Sequence, residues 1–349
     1  MERMTIIGLG LIGGSLGLAL KAAKLSNVEI VGYDTDTIAA VDARRLGAVD
    51  KTETTLQRAT AGSGLVVLAT PIVAMRPVME EMAGGLRENC VVTDTASTKS
   101  LVMDRAGEIL PPNVSFVGGH PMAGKETAGI ANADAKLFAG KPYCVVPSPS
   151  ATEGAVRMVV GLVHLIGARP LFIDAQEHDR YVAAVSHLPL VLSTALFTLV
   201  RGSPAWPELA ALASSGFRDV TRLASTDPEL SHDICLTNRE AVLHWLERMA
   251  EELYRYRELL AEEGQEEELF KRFTRAQLDR DTYITAGPPT RPQATADVPD
   301  MGEQLVALLV GERLVRRGRE IRKFLSERPQ EGRPPRQAGQ PPPKAGGRP

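Results

Sequence analysis

At 349 residues, with 44% hydrophobic and 24% charged side chains, the chain has the length and composition for two domains with cores of their own. A net charge of −3 gives it no overall basic field, which argues against a nucleic acid partner. Its three cysteines, Cys90, Cys144 and Cys235, are too few and too scattered for a disulfide framework or a thiolate metal site, and are read as reduced and mostly buried.

The N-terminal "MERMTIIGLG" enters an apolar strand pattern almost at once, leaving no room for a signal peptide, so a cytoplasmic location is expected. From there short Val- and Ile-rich runs ended by Gly, Pro or Asp alternate with helical patterns. The strand-like runs are 4–10, 28–34, 64–71, 90–94 and 114–120, with two more at "KPYCVVPS" and "ARPLFIDA" around a helix at about 151–166. This βαβα rhythm predicts a doubly wound, mostly parallel sheet covered by helices.

Near residue 174 the pattern changes. "DAQE" has the form of a capping box with Asp174 as N-cap, and long helical patterns follow. The expected organisation is therefore an α/β dinucleotide-binding domain over 1–173 and an all-α domain over 174–286. A linker with a possible extra helix at 302–326 would occupy 287–327, and a Pro/Gly/Arg-rich disordered tail 328–349. The longest uncharged apolar stretch, 188–200, is too short to span a bilayer comfortably and reads as a buried helix, so no membrane partner is expected.

"GLGLIGGSLG" contains Gly8-x-Gly10-x-x-Gly13 leaving a strand and opening a helix, with a second strand ending in Asp34. That context marks a Rossmann-type nucleotide site: Gly8, Gly10, Leu11, Ile12 and Gly13 would carry the turn and the helix N-terminus facing a pyrophosphate. Asp34 would accept from the adenosine ribose hydroxyls and repel a 2′-phosphate, favouring NAD over NADP. Thr70, Pro71, Asp94 and His120 also fall at the carboxyl ends of expected parallel strands, the edge where such sheets bind ligands.

Three further stretches carry candidate chemistry. In "GGHPMAGKE" (118–126) small or stiff neighbours would let backbone and ligand approach and would hold His120 in place. In "TDTASTKS" Ser97 is either a helix N-cap or a group that orients a substrate hydroxyl, roles that are compatible. In "VSHLPL" His187 lies where Pro189 should kink a helix. Arg218 and Arg222, four apart, would share one face if "SGFRDVTRL" is helical, and a guanidinium suits a carboxylate; a surface ion pair with Asp219 or Glu229 is the alternative. His164, His178, His232 and His244 show no metal-ligand spacing, and no metal is assigned.

These elements, with "VLATP", "HDRYVAAVSHLP" and "SGFRDVTRLASTDP", make the chain resemble the prephenate/arogenate dehydrogenase family of tyrosine biosynthesis from about residue 4 to about 280. The resemblance implies a Rossmann domain followed by a helical domain that forms a homodimer. It implies NAD(P)-dependent oxidation at a ring carbon bearing a hydroxyl, with loss of the ring carboxylate as CO2. His120 would then bond that hydroxyl and take its proton, and Ser97 would hold it near the nicotinamide. Arg222 would bind a substrate carboxylate, while His187 and Glu126 would line the pocket and its entrance. Three positions depart from the common pattern: Leu190 replaces a second histidine, Ser231 replaces a tryptophan, and Lys125 stands where a small hydroxyl residue is common.

Prephenate with NAD is the expected pair, by an association within the family; arogenate, or both substrates, is the alternative. A β-hydroxyacid dehydrogenase would rely on a lysine in its helical domain, and here none precedes Lys271. A catalytically silent NAD-binding protein would be expected to show a damaged His120 or glycine motif, and neither is damaged.

Overall fold

In the computed structural model of the chain, the described residues are 2–125 and 127–287. Eight strands form one sheet: β1 (Glu2–Ile7), β2 (Val28–Tyr33), β3 (Lys51–Thr52), β4 (Ser63–Leu68), β5 (Val91–Asp94), β6 (Ser115–Pro121), β7 (Pro142–Pro147) and β8 (Arg169–Phe172). Their order is β3-β2-β1-β4-β5-β6-β7-β8. Pairing is parallel from β3 to β6, antiparallel between β6 and β7, and parallel again between β7 and β8. The expected α/β class is therefore the observed one. The sequence reading missed β3, whose two residues are too few to show any alternation.

Strand side chains alternate between the sheet faces, so neighbours enter opposite cores. Ile6 packs with Leu16, Leu20, Val67 and Val163 on one face, while Ile7 packs with Val66, Met75, Met79 and Phe116 on the other. The first face is covered by α1 (Leu11–Ala22), α2 (Thr37–Arg45) and α6 (Glu153–Leu165). The second is covered by α3 (Leu56–Thr60), α4 (Ile72–Ala83) and α5 (Ser100–Ile109). Successive strands are added in one direction from β1 to β3 and in the other from β4 onward, and the loops after the parallel β1 and β4 meet at that switch point.

After β8 the Asp174 carboxylate accepts from the Gln176 and Glu177 amides and starts α7 (Ala175–Val182). A π-helical turn, Ala183–His187, joins α7 to α8 (Leu188–Arg201). Pro189 lies inside this continuous helical run, and the π turn stands just before it, where the missing N–H deprives a carbonyl of its usual helical partner. There follow α9 (Trp206–Leu212), α10 (Ser215–Val220), a 3-10 turn at Arg222–Ser225, α11 (Pro228–Thr237), α12 (Arg239–Ala261) and α13 (Glu266–Ala286).

Two expectations about 188–200 are corrected. The helical run carrying it spans 27 residues, Ala175–Arg201, and by length and composition alone is long and apolar enough to cross a membrane. Nor is it a buried helix within one chain, since Leu199 is 75% exposed. Apolar residues of α12 and α13, Leu260, Phe270 and Phe273 among them, are exposed as well. The 302–326 helix, the tail and the linker beyond Gly287 lie outside the described residues. Cys90, Cys144 and Cys235 are free thiols, the first two buried.

Candidate active site

The nucleotide end is built by three glycines with different duties. Gly8 adopts φ +90°, and a Cβ there would sit 2.5 Å from the Ala69 carbonyl oxygen, so only glycine lets the β1 and β4 loops meet. A Cβ on Gly13 would lie 1.9 Å from the Gly8 oxygen, which fixes how closely α1 follows the turn. Around Gly10 there is nothing within 4 Å of a Cβ position. That space lies over the start of α1, whose N-cap Gly10 supplies no side-chain acceptor. The first-turn amides of Leu11, Ile12 and Gly13 thus border an open cradle suited to a pyrophosphate.

Asp34 closes β2 beside this turn and accepts from Leu9 N at 2.6 Å and Asp36 N at 2.8 Å. Both carboxylate oxygens are thereby oriented, with lone pairs left for ribose hydroxyls. Thr70 follows β4, and its Oγ1 is buried without a hydrogen-bond partner among the described residues. Pro71 is the N-cap of α4. An open Gly10 cradle, an oriented carboxylate and an orphaned hydroxyl on one sheet edge fit a bound dinucleotide.

His120 lies near the end of β6, paired with Cys144 of β7. Its glycine neighbours make room for protein and not for ligand, which corrects the sequence reading. A Cβ on Gly119 would lie 2.4 Å from the Asp94 carbonyl oxygen, and one on Gly118 would lie 2.8 Å from Met103 Sδ. The Asp94 carboxylate accepts from Gly119 N at 3.0 Å and Ala96 N at 2.9 Å, and is paired with the fully buried Lys99. This ion pair ties β5, β6 and the start of α5 together directly beneath His120.

His120 Nδ1 is 2.8 Å from His178 Nε2, and His178 Nδ1 is 2.8 Å from Asp179 Oδ1. Asp179 also accepts from the Lys99 and Ser100 amides at 2.7 and 2.8 Å, capping α5 from the helical domain. Here Ser97 departs from expectation: α5 starts at Ser100 with no cap from its own sequence, and a carboxylate on α7 fills that role. Ser97 sits half-buried in the loop between β5 and α5. Burial pushes the Asp179 carboxyl up, but the bonds from His178, Ser100 and Lys99 outweigh it and hold it below the usual range. Burial first, and then the nearby His178, Lys99 and His187, hold the His120 imidazole well below its ordinary value. The ring is therefore uncharged at neutral pH.

His187 is reached from the other side. Asn238 Nδ2 donates to the Asp179 carbonyl at 2.7 Å, which orients the amide, and to His187 Nδ1 at 3.2 Å. With Nδ1 accepting, the proton of His187 is on Nε2, and that atom is buried without a partner among the described residues. Burial lowers its pKa to about 4, so it is a neutral donor.

Arg222 opens the 3-10 turn that packs against α8, and its side chain is exposed. Arg218 lies in α10, and Thr221 separates the two elements, so the two arginines do not share one continuous helix face. Glu126 lies outside the described residues. Sequence reasoning missed His178, Asp179, Lys99 and Asn238. His178 was passed over in a search for metal spacing. At nine positions apart, His178 and His187 fall half a turn out of phase on a regular helix, and the wider π turn between them changes that phase.

Residues 16–171 match the family model described as the prephenate dehydrogenase nucleotide-binding domain, and residues 174–275 match its dimerization domain. The chain is 32% identical over 326 residues to a prephenate dehydrogenase of Bacillus subtilis (strain 168), covering 90% of this chain and 86% of that one. It is 32% identical over 262 residues to a cyclohexadienyl dehydrogenase of Zymomonas mobilis, covering 74% of this chain and 89% of the other. Among solved structures, prephenate dehydrogenase from A. aeolicus with hydroxyphenyl propionate and NAD+ superposes with a TM-score of 0.74 at 28% identity, over 80% of this chain and 97% of that one. A Synechocystis arogenate dehydrogenase gives 0.69 at 28% identity, over 80% and 99%.

Proposed function

The chain belongs to the prephenate dehydrogenase family, and on that premise we propose that it catalyses the NAD-linked oxidative decarboxylation of prephenate to 4-hydroxyphenylpyruvate, a step of L-tyrosine biosynthesis. The observation that carries the reading is His120: an uncharged imidazole, bonded through Nδ1 alone among the described residues, on the sheet edge that also carries the nucleotide cradle.

Bound NAD supplies the hydride acceptor. The protein's own part is to position the ring and handle one proton. His120 Nε2 takes the proton of the ring hydroxyl as the hydride leaves the same carbon. Loss of the ring carboxylate as CO2 delivers an electron pair to the ring, which becomes aromatic, and the proton on His120 returns to the phenolic oxygen. Ser97 holds the hydroxyl, His187 Nε2–H donates to a substrate oxygen, and Arg222 binds a carboxylate. Glu126 stands at the entrance in this reading.

The same reading makes the protein a cytoplasmic homodimer joined through its helical domain. The matched dimerization domain and the exposed apolar residues of α8, α12 and α13 support the pairing. Arogenate is the second reading, favoured by one residue: Leu190, only 6% exposed, offers no polar group where the family resemblance expects a histidine.

The test is the absorbance rise of reduced cofactor with prephenate or arogenate, each with NAD or NADP, in wild type and His120→Asn. Preference for prephenate with NAD, abolished by roughly 10²–10⁴-fold in a variant that still binds NAD, is the expected result. Turnover unchanged in the variant removes His120 from the mechanism. Preference for arogenate shifts the substrate and leaves the chemistry in place.

A further inference from the structure

The three-residue chain behind His120 has a direction, and the direction follows from its far end. Asp179 is a buried carboxylate, 5% exposed, already accepting two backbone N–H groups, so it can only accept from His178. The proton between them is therefore on His178 Nδ1, 2.8 Å from Oδ1. With that proton the only one on the His178 ring, its bare Nε2 faces His120 Nδ1 across 2.8 Å, and the proton of that bond belongs to His120. What remains on His120 is a lone pair on Nε2, which makes no hydrogen bond among the described residues.

We propose that His178 and Asp179 are positioning residues that set the tautomer of His120, holding its Nε2 as the acceptor and stabilising the ring once it has taken a proton. No proton moves along the chain: it arrives on His120 Nε2, stays there through loss of CO2, and leaves from the same atom. Because the same Asp179 carboxylate caps α5, the device is assembled only when the helical domain is docked on the sheet. The opposite tautomer, in which His120 Nε2 carries the hydrogen, would serve as a donor to the hydroxyl oxygen and could not take its proton. This inference rests on the reading of His120 as the base.

The test uses the full-length protein with NAD, labelled with ¹⁵N at histidine, and two-bond ¹H–¹⁵N spectra that separate protonated from bare ring nitrogens. His120 is assigned by the signals lost in His120→Asn. The expected wild-type result is a bare Nε2 and a protonated Nδ1. Asp179→Leu removes the acceptor of the His178 Nδ1 proton, and the His120 tautomer is no longer set. The kcat should then fall by roughly 10²–10⁴-fold with KM for NAD within about twofold, as expected when only the tautomer of a base is wrong.

Because Asp179→Leu also removes the cap on α5, His178 is varied separately. His178→Gln, whose carbonyl can accept from His120 Nδ1, should keep the bare Nε2 and retain kcat at least about tenfold above His178→Leu. A protonated Nε2 in the wild type, or equal kcat in His178→Gln and His178→Leu, overturns the proposal. Unchanged turnover in His120→Asn defeats the base reading instead, while the spectra still report the tautomer.

Discussion

Asn238 donates through a single Nδ2 to the Asp179 carbonyl and to His187 Nδ1, so one amide on the C-cap of α11 places the proton of His187 on Nε2. Asn238→Asp reverses this. A carboxylate there accepts from Nδ1, turns Nε2 into an acceptor and faces the Asp179 carbonyl without a donor. We expect kcat/KM for the ring substrate to fall roughly 10- to 100-fold, the size of one buried hydrogen bond reversed, with NAD affinity unchanged. Steady-state kinetics beside a fluorescence titration of NAD checks it.

Gly10 and Gly13 should respond oppositely to the same added methyl. At Gly13 the methyl meets the Gly8 carbonyl oxygen at 1.9 Å, and neither backbone can yield, so Gly13→Ala should cost the fold ~1–3 kcal/mol in urea unfolding. At Gly10 there is open space and φ is −72°, so Gly10→Ala should unfold within ~0.5 kcal/mol of wild type. Its methyl would occupy the cradle, and NAD affinity should drop about tenfold or more.

Lys99 is fully buried against Asp94. Lys99→Met keeps the volume and leaves the Asp94 carboxylate with two backbone donors and no counter-charge. We expect a loss of ~3–5 kcal/mol, the range for removing one partner of a buried pair. Denaturant unfolding at pH 7 measures it.

Stability should fall on mild acidification. His187 has a folded pKa of about 4, against an ordinary value of 6.5, and His120 is lowered in the same direction. Between those values the unfolded chain binds more protons than the folded one, so unfolding free energy drops as pH falls from 6.5 toward 4. Above 6.5 neither ring contributes a slope. From pH 7 to pH 5 the His187 share is about 2 kcal/mol at 1.36 kcal/mol per unit. His187→Gln should lose that much less than wild type over the same interval. Equal slopes in the two proteins would show that His187 is not held neutral by burial.

Local residue chemistry carried most of the fold and the nucleotide end. Apolar alternation, punctuating glycines and Asp34 at a strand end are events within a few residues of each other, and their physics is the same wherever the chain goes. The doubly wound sheet, the start of α7 at its Asp174 cap and the Gly8–Gly10–Gly13 turn are all of this kind. His120 could be placed on the ligand edge for the same reason.

Its surroundings could not, because they are made of contacts between residues far apart in the chain. His178 reaches His120 across 58 positions, and Asp179 reaches the start of α5 across 80. The expected Ser97 cap was displaced because a carboxylate from another domain satisfies the helix amides. The expected shared face of Arg218 and Arg222 was lost because the backbone turns at Thr221. Hydrogen-bond direction is a property of a closed network: which ring nitrogen of His120 or His187 carries the proton depends on Asp179 and Asn238, and only the tertiary structure brings them into contact.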